Sequence, residues 1–197
     1  MNKIHQLTAL FLAALLTLTT VVPASAARVY DRETKRWVEA SELQTRGRNY
    51  TPIQRKIVDY DTNYAVGTIV VETSEHYLYL VLEDDKALRY GVGVGRDGFQ
   101  WSGSHRITRK AEWPGWTPPA AMRERQPGLP AYMPGGPENP LGARALYIGN
   151  TLYRLHGTSE PWTIGHDVSS GCIRLTNDDI IDLYDRVGVG TLVVVRR

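Results

Sequence analysis

The sequence has little cysteine, little phenylalanine and no excess of charge of either sign. Its 197 residues include one cysteine, Cys172, so no disulfide can form within the chain. Lys+Arg number 23 and Asp+Glu 21, a balance without the basic surface that nucleic-acid-binding proteins usually carry, so we expect no nucleic acid partner. The 11 tyrosines and 18 glycines, set against 2 phenylalanines, favour a β-rich domain with long loops over a helical bundle.

Residues 1–26 have the features of a secretory signal peptide. Lys3 precedes an apolar stretch over residues 7–22, and small residues lead up to Ala26. Threonines interrupt this stretch, and it is shorter than the roughly 20 residues that a membrane-spanning helix needs, which makes a transmembrane anchor the weaker alternative. No cysteine lies near the expected cleavage site to carry a lipid. We expect cleavage after Ala26, export, and no stable membrane anchor on the mature protein.

Residues 27–62 are polar, with scattered apolar residues and no sustained period. They predict an N-terminal extension ahead of a single domain over residues 63–197, which is long enough to bury a core of its own. Two alternatives stay open for the extension. Aromatic residues between Tyr50 and Tyr60 could dock it on the domain, or it could be a flexible spacer.

Short runs rich in Val, Ile, Leu and Tyr predict strands in this domain. Turn-forming residues separate the first runs, which is the pattern of an antiparallel meander. These strands are expected near 68–73, 76–82 and 87–94. Gly149 and Asn150 stand between two alternating runs, the pattern of a hairpin with a two-residue turn, and His156 lies where its second strand ends. The final stretch, "GTLVVVRR", predicts one more strand.

One helix is expected shortly after Cys172, in the stretch "LTNDDIIDLYDRVG". Thr176 or Asn177 can cap its start, where the following aspartates suit the positive end of the helix dipole. Gly188 can end it. The apolar residues at helical spacing are Ile180, Leu183, Tyr184 and Val187.

A long loop rich in proline and tryptophan separates the two strand-forming halves of the domain. It covers residues 110–144 and holds most of the chain's 11 prolines, together with Trp113 and Trp116. Long loops without secondary structure are uncommon in compact domains and often form lids or binding loops. We expect this loop to line a substrate groove, and the alternative is a rigid cover over the core.

Cys172 has the sequence surroundings of a reactive thiol. Gly171 lets backbone or substrate approach the sulfur, and the neighbouring Ser169, Ser170 and Arg174 are polar. The alternative is a buried, inert cysteine, which is common in proteins. A histidine that takes the thiol proton would produce the nucleophilic thiolate, so a nearby histidine favours the reactive interpretation.

Two histidines could act on this thiol. His156 stands at a predicted strand end, from which one loop could bring it to Cys172, whereas His166 is nearer in sequence. His156, His166, Asp167 and Cys172 could instead ligate a metal such as zinc. Their spacing matches no compact metal-binding pattern, so we expect no metal. The favoured interpretation is a pair formed by Cys172 and His156.

The stretch "HGTSEPWTIGHDVSSGCIRL" resembles the signature of the L,D-transpeptidases, the YkuD-type catalytic domain, in its SSGCIRL branch. The stretches "PGGPENPLGARALYIGNTLYRLHG" before it and "NDDIIDLYDRVGVGTLVVV" after it resemble the same family, so the resemblance covers about residues 64–197. It implies a mostly β fold. The domain would be a YkuD-like β-sandwich or barrel-like structure, with one helix next to the catalytic cysteine and a long Pro/Trp-rich loop.

The resemblance also implies roles for individual residues. Cys172 matches the nucleophile, His156 the general base, and the carbonyl of Gly157 the group that orients the imidazole. The N–H groups of Gly171 and Cys172 match candidates for an oxyanion hole. Arg174 matches a position that shapes the site. Its guanidinium suits a substrate carboxylate, and the alternative is an ion pair with one of the helix aspartates.

Two features depart from many members of the family. Ser170 stands where many members have histidine. The SSGC branch of the family also has serine there, so we expect the same catalysis with a different supporting hydrogen bond. The stretch "FQWSGSHRI" at 99–107 stands where many members carry a T-P-x-G stretch, which leaves the acyl-donor side of the groove less defined.

The activity that the resemblance implies is peptidoglycan L,D-transpeptidation outside the cytoplasm, in the periplasm. A thioester on Cys172 would form on a tetrapeptide stem with release of D-alanine. The amine of a second stem would then give a 3→3 cross-link, or an amine of an envelope protein would attach that protein to the wall. The scheme requires no cofactor. Alternatives are a carboxypeptidase with water as acceptor, a non-catalytic peptidoglycan-binding module and a metal-dependent peptidase.

Overall fold

The computed structural model describes residues 28–31, 36–39 and 53–197. The predicted signal peptide, residues 1–26, lies outside the described residues. Strands β1 (Arg28–Asp31) and β2 (Arg36–Glu39) pair antiparallel in a small sheet of their own. None of the helices in the described ranges is long and apolar enough to cross a membrane.

Nine further strands form one mixed sheet, and two more form a short parallel pair. The strands of the mixed sheet are β3 (Lys56–Asp59), β4 (Ile69–Glu72), β5 (Tyr77–Val81), β6 (Lys86–Gly91), β8 (Gly103–Glu112), β9 (Arg144–Ile148), β10 (Arg154–His156), β12 (Ile173–Arg174) and β13 (Leu192–Arg196). The parallel pair is β7 (Val94–Gly95) and β11 (Asp167–Ser169). The helices are α1 (Ala120–Arg125), a 3-10 turn (Pro161–Thr163) and α2 (Asn177–Arg186).

The mixed sheet curls until its two sides meet, which makes the fold barrel-like. Its strand order is β12-β10-β9-β8-β13-β4-β5-β6-β3. Gly93, just past β6, exchanges two backbone hydrogen bonds of 2.9 and 2.8 Å with Arg174 of the edge strand β12. Residues from both sides of the sheet, such as Tyr90, Leu155 and Ile173, share one buried cluster. The expected mostly β, barrel-like domain is therefore confirmed.

The predicted meander is present in strands β4, β5 and β6, which pair antiparallel in chain order. The expected third strand, 87–94, is different because β6 ends at Gly91. Beyond it the chain turns toward the other end of the sheet. The backbone of Gly93 pairs with Arg174, and the N–H of Val94 donates to the carbonyl of His166 at 3.0 Å.

The predicted hairpin around Gly149 is present, but its loop is longer than two residues. Strands β9 and β10 pair antiparallel, and residues 149–153 connect them. The hydroxyl of Thr151 donates to the carbonyl of Ile148 at 2.6 Å and accepts from the N–H of Tyr153 at 3.1 Å. This side chain closes a wider turn than a Gly-Asn pair alone would form.

Helix α2 forms where the sequence predicts a helix and packs against β9 and β10. Of the two expected capping residues, Thr176 is the cap, since its hydroxyl accepts from the N–H of Asp179 at 3.1 Å. Ile180 and Leu183 are fully buried in the main cluster. The helix ends at Arg186, two residues before Gly188, which the sequence pattern offered as its end.

The loop expected over residues 110–144 contains more structure than predicted. Strand β8 continues to Glu112, and α1 interrupts the loop. The rest is held by the buried amide of Asn139, whose Oδ1 accepts from the N–H of Leu141 at 2.9 Å. Its Nδ2 lies 2.9–3.2 Å from three backbone carbonyls, those of Pro114, Met133 and Pro134.

Residues 53–60, expected to belong to the N-terminal extension, complete the sheet. Strand β3 pairs antiparallel with β6 at the sheet edge. Ile53 is buried, and the ring of Tyr60 stacks on Tyr79 with the centroids 4.4 Å apart. The docked alternative therefore describes these residues, and the sheet begins before residue 63, where the domain was expected to start.

Candidate active site

Two short parallel strands carry the residues expected to react. Strands β10 and β12 pair with Leu155 opposite Ile173, and both side chains are buried in the core, 0% and 1% exposed. Because side chains alternate along a strand, the residues on either side of this pair project from the opposite face. They are Arg154, His156, Cys172 and Arg174. The structure thus brings the expected thiol and imidazole to one face of neighbouring strands.

The imidazole of His156 is buried and held in one orientation. Its Nδ1 lies 2.5 Å from the carbonyl oxygen of Gly157, the contact expected for that residue. A carbonyl oxygen can only accept, so Nδ1 carries the proton and Nε2 keeps its lone pair. A Cβ on Gly157 would lie 2.3 Å from Oδ1 of Asn177, so a glycine is needed where β10 meets the start of α2.

The surroundings of His156 disfavour a charged imidazole. Burial lowers the pKa of His156 from 6.5 to about 3, and the positive charges of Arg174 and Arg154 act in the same direction. Backbone hydrogen bonds with Gly157 and Leu141 favour the charged form but do not outweigh burial. His156 is therefore neutral near pH 7, the form in which Nε2 can accept a proton.

The thiol of Cys172 is also neutral in this structure. Burial raises the pKa of the Cys172 thiol, although Arg154 opposes the shift through its charge and a backbone hydrogen bond, and Arg174 through its charge. The thiol donates to the carbonyl of Leu152 at 3.8 Å. Within the described residues no hydrogen bond joins the thiol to His156, so the resting site holds two neutral groups rather than an ion pair.

The backbone before the thiol turns sharply at Gly171, whose φ is +103°. A Cβ there would lie 2.5 Å from the ring of Tyr153, so a larger residue does not fit. The buried hydroxyl of Ser169 fixes the turn, donating to the carbonyl of Cys172 at 2.5 Å and accepting from the N–H of Gly171 at 3.1 Å. The N–H of Gly171, an expected donor to the oxyanion, is therefore already hydrogen-bonded to Ser169. These contacts come from Ser169 and not from the expected Ser170.

Two aromatic side chains that the sequence pattern does not single out support the same turn. Nε1 of Trp101 donates to the carbonyl of Gly171 at 2.7 Å. The Trp101 ring stacks on Tyr153, with the centroids 4.5 Å apart and the planes 5° from parallel. Trp101 belongs to the stretch in which the chain departs from many family members, so the resemblance could not identify it.

Arg174 forms an ion pair, but its partner is not a helix aspartate. Nη1 of Arg174 lies 2.9 Å from Oε2 of Glu160, in the loop between β10 and the 3-10 turn. Arg154 projects from the same face and was not expected as a site residue. Counting two residues back from His156 along the strand would have identified it.

His166 and Asp167 lie in the segment that bonds to β7, whereas the strand of His156 pairs with β12. His166 is buried just before β11, which pairs with β7. The carboxylate of Asp167 pairs with His76, with Oδ1 2.8 Å from Nε2. Within residues 28–31, 36–39 and 53–197, no three His, Cys, Asp or Glu side chains are grouped closely enough to hold a metal ion.

A cavity of about 800 Å³ lies beside the site. The start of α2, the loop after β10 and residues 53–55 form its wall, together with Pro137 and Glu138 of the Pro-rich loop. Cys172 is not among its lining residues. The carboxyl end of the Pro-rich loop therefore lines a cavity near His156 rather than the surface at the thiol itself.

Comparison of sequences identifies the family. A family model of the L,D-transpeptidase catalytic domain, YkuD, matches residues 67–195. The probable L,D-transpeptidase ErfK/SrfK of Escherichia coli is 45% identical to this chain over 134 residues. That match covers 64% of this chain and 43% of the relative, so the chain spans less than half the length of this curated protein.

Comparison of structures agrees with the sequence matches. A Brucella melitensis structure named as a probable carnitine operon oxidoreductase is 41% identical, with a TM-score of 0.51, and the match covers 78% of this chain and 97% of that one. An L,D-transpeptidase from Mycobacterium smegmatis shares the fold at 21% identity and a TM-score of 0.51, over 66% of this chain and 58% of its own. With the match to 67–195, the expectation is confirmed, and the chain belongs to the L,D-transpeptidase family through a YkuD-type catalytic domain.

Proposed function

We propose that the chain is a peptidoglycan L,D-transpeptidase that works through a thioester on Cys172. Its acyl donor is a tetrapeptide stem that loses D-alanine, and its acceptor is an amine of a second stem or of an envelope protein. Export to the periplasm, expected from residues 1–26, would bring the enzyme to this polymer. Family membership supports the transpeptidase activity, and the arrangement of the site supports the cysteine chemistry.

One observation carries the proposal. A neutral imidazole, fixed by its Nδ1–H on the carbonyl of Gly157, lies on the strand next to the one that Cys172 precedes. Such an imidazole presents Nε2 as a base, and the thiol is the nucleophile that needs one. Because both groups are neutral at rest, the thiolate would form only as the sulfur attacks, with His156 as a general base.

The proposed reaction has two halves. In the first, Nε2 of His156 takes the thiol proton while the sulfur of Cys172 attacks the scissile carbonyl carbon. An S–C bond forms, the carbonyl oxygen becomes negative, and the intermediate collapses by breaking the C–N bond to D-alanine, whose amine receives the proton. In the second half, the acceptor amine attacks the thioester and gives a proton to His156, which returns it to the departing sulfur.

The negative oxygen of the intermediate needs a fixed donor. The N–H of Gly171 is engaged by the hydroxyl of Ser169, so we assign this role to the N–H of Cys172. Arg174 is paired with Glu160, and in this proposal it orders the loop after β10 and shapes the groove. Ser170 would line the approach to the thiol.

The test is mass spectrometry of the protein, lacking residues 1–26, after incubation with disaccharide-tetrapeptide muropeptides. Loss of D-alanine together with a 3→3-joined product would support the transpeptidase. Loss of D-alanine without joining would indicate a hydrolase, or an acceptor protein missing from the mixture. No change, with Cys172 shown to be reduced, would contradict the proposal.

Variants assign the roles within the site. Cys172→Ser should abolish turnover and leave the fold intact, and residual turnover would remove Cys172 as the nucleophile. His156→Ala should slow acylation strongly. His166→Ala is the matched control and should cost much less, because the proposed base is His156, on the strand that pairs with β12. A larger loss in the His166 variant would show that the base is misassigned.

A further inference from the structure

Arg154 is a cation on the site face that has no carboxylate partner among the residues that the structure describes. It lies on β10 opposite Cys172, one residue before the buried pair that fixes the strand register. Arg174, on the same face, is neutralised by Glu160 at 2.9 Å. Across the described residues, no carboxylate pairs with Arg154; its contacts are the carbonyl of Leu152 and the aromatic ring of Tyr147.

The guanidinium of Arg154 approaches the reacting sulfur. Its Nη2 donates to the carbonyl oxygen of Leu152 at 3.2 Å, and the thiol of Cys172 donates to the same oxygen at 3.8 Å. The guanidinium of Arg154 and the thiol of Cys172 therefore share one acceptor, the carbonyl oxygen of Leu152. Leu152 is 75% exposed, so this meeting point opens to solvent and to a substrate.

Most hydrogen-bond donors of Arg154 have no acceptor in the described part of the chain. A guanidinium has five N–H donors, and Nε of Arg154 is buried there without a hydrogen-bond partner. A half-buried charge without a counter-ion carries an uncompensated cost of desolvation, which a bound anion would offset. A carboxylate suits this group because both of its oxygens can accept from one planar guanidinium.

We propose that Arg154 binds a carboxylate of the acyl donor beside Cys172, and that this carboxylate is the free terminus of the residue that leaves. The inference rests on the proposed function and names the part of the donor that the site recognises. In a tetrapeptide stem, only a nitrogen and an α-carbon separate the carboxylate of terminal D-alanine from the scissile carbonyl carbon. A sulfur that attacks this carbon therefore brings the carboxylate close to Arg154.

The first test compares two alkylating probes that differ in one carboxylate. Iodoacetate and iodoacetamide both form an S–C bond to Cys172 with loss of iodide, so a change in the thiolate fraction alters both rates equally. The ratio of the iodoacetate rate to the iodoacetamide rate therefore reports attraction of a carboxylate to the site. We expect a higher ratio for the protein than for the uncharged thiol 2-mercaptoethanol, and about a tenfold lower ratio in Arg154→Gln, as for loss of one charge-assisted contact.

Controls separate a specific contact from general charge. Arg109→Gln removes the same charge from a guanidinium that packs on the same ring, with Cζ 3.6 Å from the centroid of Tyr147, and should keep the wild-type ratio. Arg154→Lys should keep part of the preference for iodoacetate.

If Arg154→Gln does not fold, as judged by circular dichroism, a salt titration of the wild-type protein decides, because screening must slow iodoacetate more than iodoacetamide. An unchanged ratio in folded Arg154→Gln, or an equal salt effect on both probes, overturns the proposal.

The second test uses a tetrapeptide stem with either a free terminal carboxylate or a terminal carboxamide. Arg154→Gln should lose about tenfold or more in kcat/KM on the carboxylate form relative to the amide form, because the effect of its charge on the Cys172 thiol is common to both forms. Equal losses on both forms overturn the inference while the proposed function stands. A wild-type protein that releases neither D-alanine from the carboxylate form nor D-alaninamide from the amide form, yet keeps an Arg154-dependent preference for iodoacetate, would contradict the proposed function and support the carboxylate site.

Discussion

The neutral state of the imidazole and the thiol makes the pH dependence of Cys172 diagnostic. Burial raises the pKa of the Cys172 thiol, whereas burial and the charges of Arg174 and Arg154 lower the pKa of His156 to about 3. Near pH 7 the resting site therefore holds neither thiolate nor imidazolium. We expect alkylation of Cys172 by iodoacetamide to be slow at neutral pH and to rise only in the alkaline range.

Intact-mass kinetics across the acid, neutral and alkaline ranges measure this profile. A thiolate–imidazolium pair would instead give a rate that stays constant well into the acid range. Such a plateau would contradict the neutral pair. His156→Ala is the control, since removing a base that carries no charge at rest should leave the acid side of the profile unchanged.

The two adjacent serines before Gly171 give a second prediction at this scale. Ser169 bonds both the carbonyl of Cys172 and the N–H of Gly171, so Ser169→Ala should lower the free energy of unfolding by about 1–3 kcal/mol. Acylation should also slow, because the turn that aims the sulfur loosens. Ser170→Ala makes the same chemical change one position away and should stay within about 0.5 kcal/mol of wild type. Urea denaturation of both variants checks this, and equal losses would contradict it.

The sequence could predict some of these residues but not others. A lone cysteine after glycine, with a histidine at a strand end, favours the pair of Cys172 and His156, and the family resemblance gives the two residues their expected roles. It could not decide between two neighbouring serines, because their roles depend on which hydroxyl turns inward at Gly171. Arg154 shares the face of His156 two residues away on β10, so strand alternation identifies that face, but only the pairing with β12 places it beside Cys172.

At the scale of elements, the strands and the helix follow from local patterns, and the Pro-rich loop does not. Short runs rich in Val, Ile, Leu and Tyr between turn residues predicted β4 and β5, and helical spacing after Thr176 or Asn177 predicted α2. Prolines and glycines show no period, so the sequence does not predict how residues 113–143 fold. Their arrangement depends on one buried amide, Asn139, which donates to backbone carbonyls from separate parts of the loop.

Asn139→Asp tests this account of the loop. The carboxylate has the same shape as the amide but cannot donate, and it would place a buried oxygen against three carbonyl oxygens. We expect a loss of about 2–4 kcal/mol in the free energy of unfolding and faster proteolysis within 113–143. Asn150→Asp, at an exposed turn position, is the matched control and should change neither. Equal behaviour of the two variants, measured by thermal melting and limited proteolysis, would show that the amide does not organise the loop.

At the scale of the whole molecule, the closure of the sheet links its far edge to the site. Strand β6 pairs with β3 on one side, and just beyond its end Gly93 bonds to Arg174. A Cβ on Gly91 would lie 2.6 Å from Ile53, so the chain before β3 packs directly against the segment that crosses to the site. Residues 53–60 are therefore expected to support the site although they lie outside the family match to 67–195.

Shortening the chain to begin at residue 53 or at residue 63 separates these contributions. The shorter form loses β3, the burial of Ile53 and the stacking of Tyr60 on Tyr79, which together should cost about 4 kcal/mol or more in the free energy of unfolding. It also loses the ion pair of Arg55 with Asp179, at 3.1 Å, beside the start of α2. We expect the form that begins at 53 to melt at a clearly higher temperature. We also expect faster iodoacetamide alkylation of Cys172 in the form that begins at 63, because loss of the packing of Ile53 on Gly91 loosens the segment that bonds to Arg174, and with it the burial that raises the pKa of the Cys172 thiol. Equal melting temperatures and equal alkylation rates would show that β3 only covers an edge, and that the site depends on the residues after 63 alone.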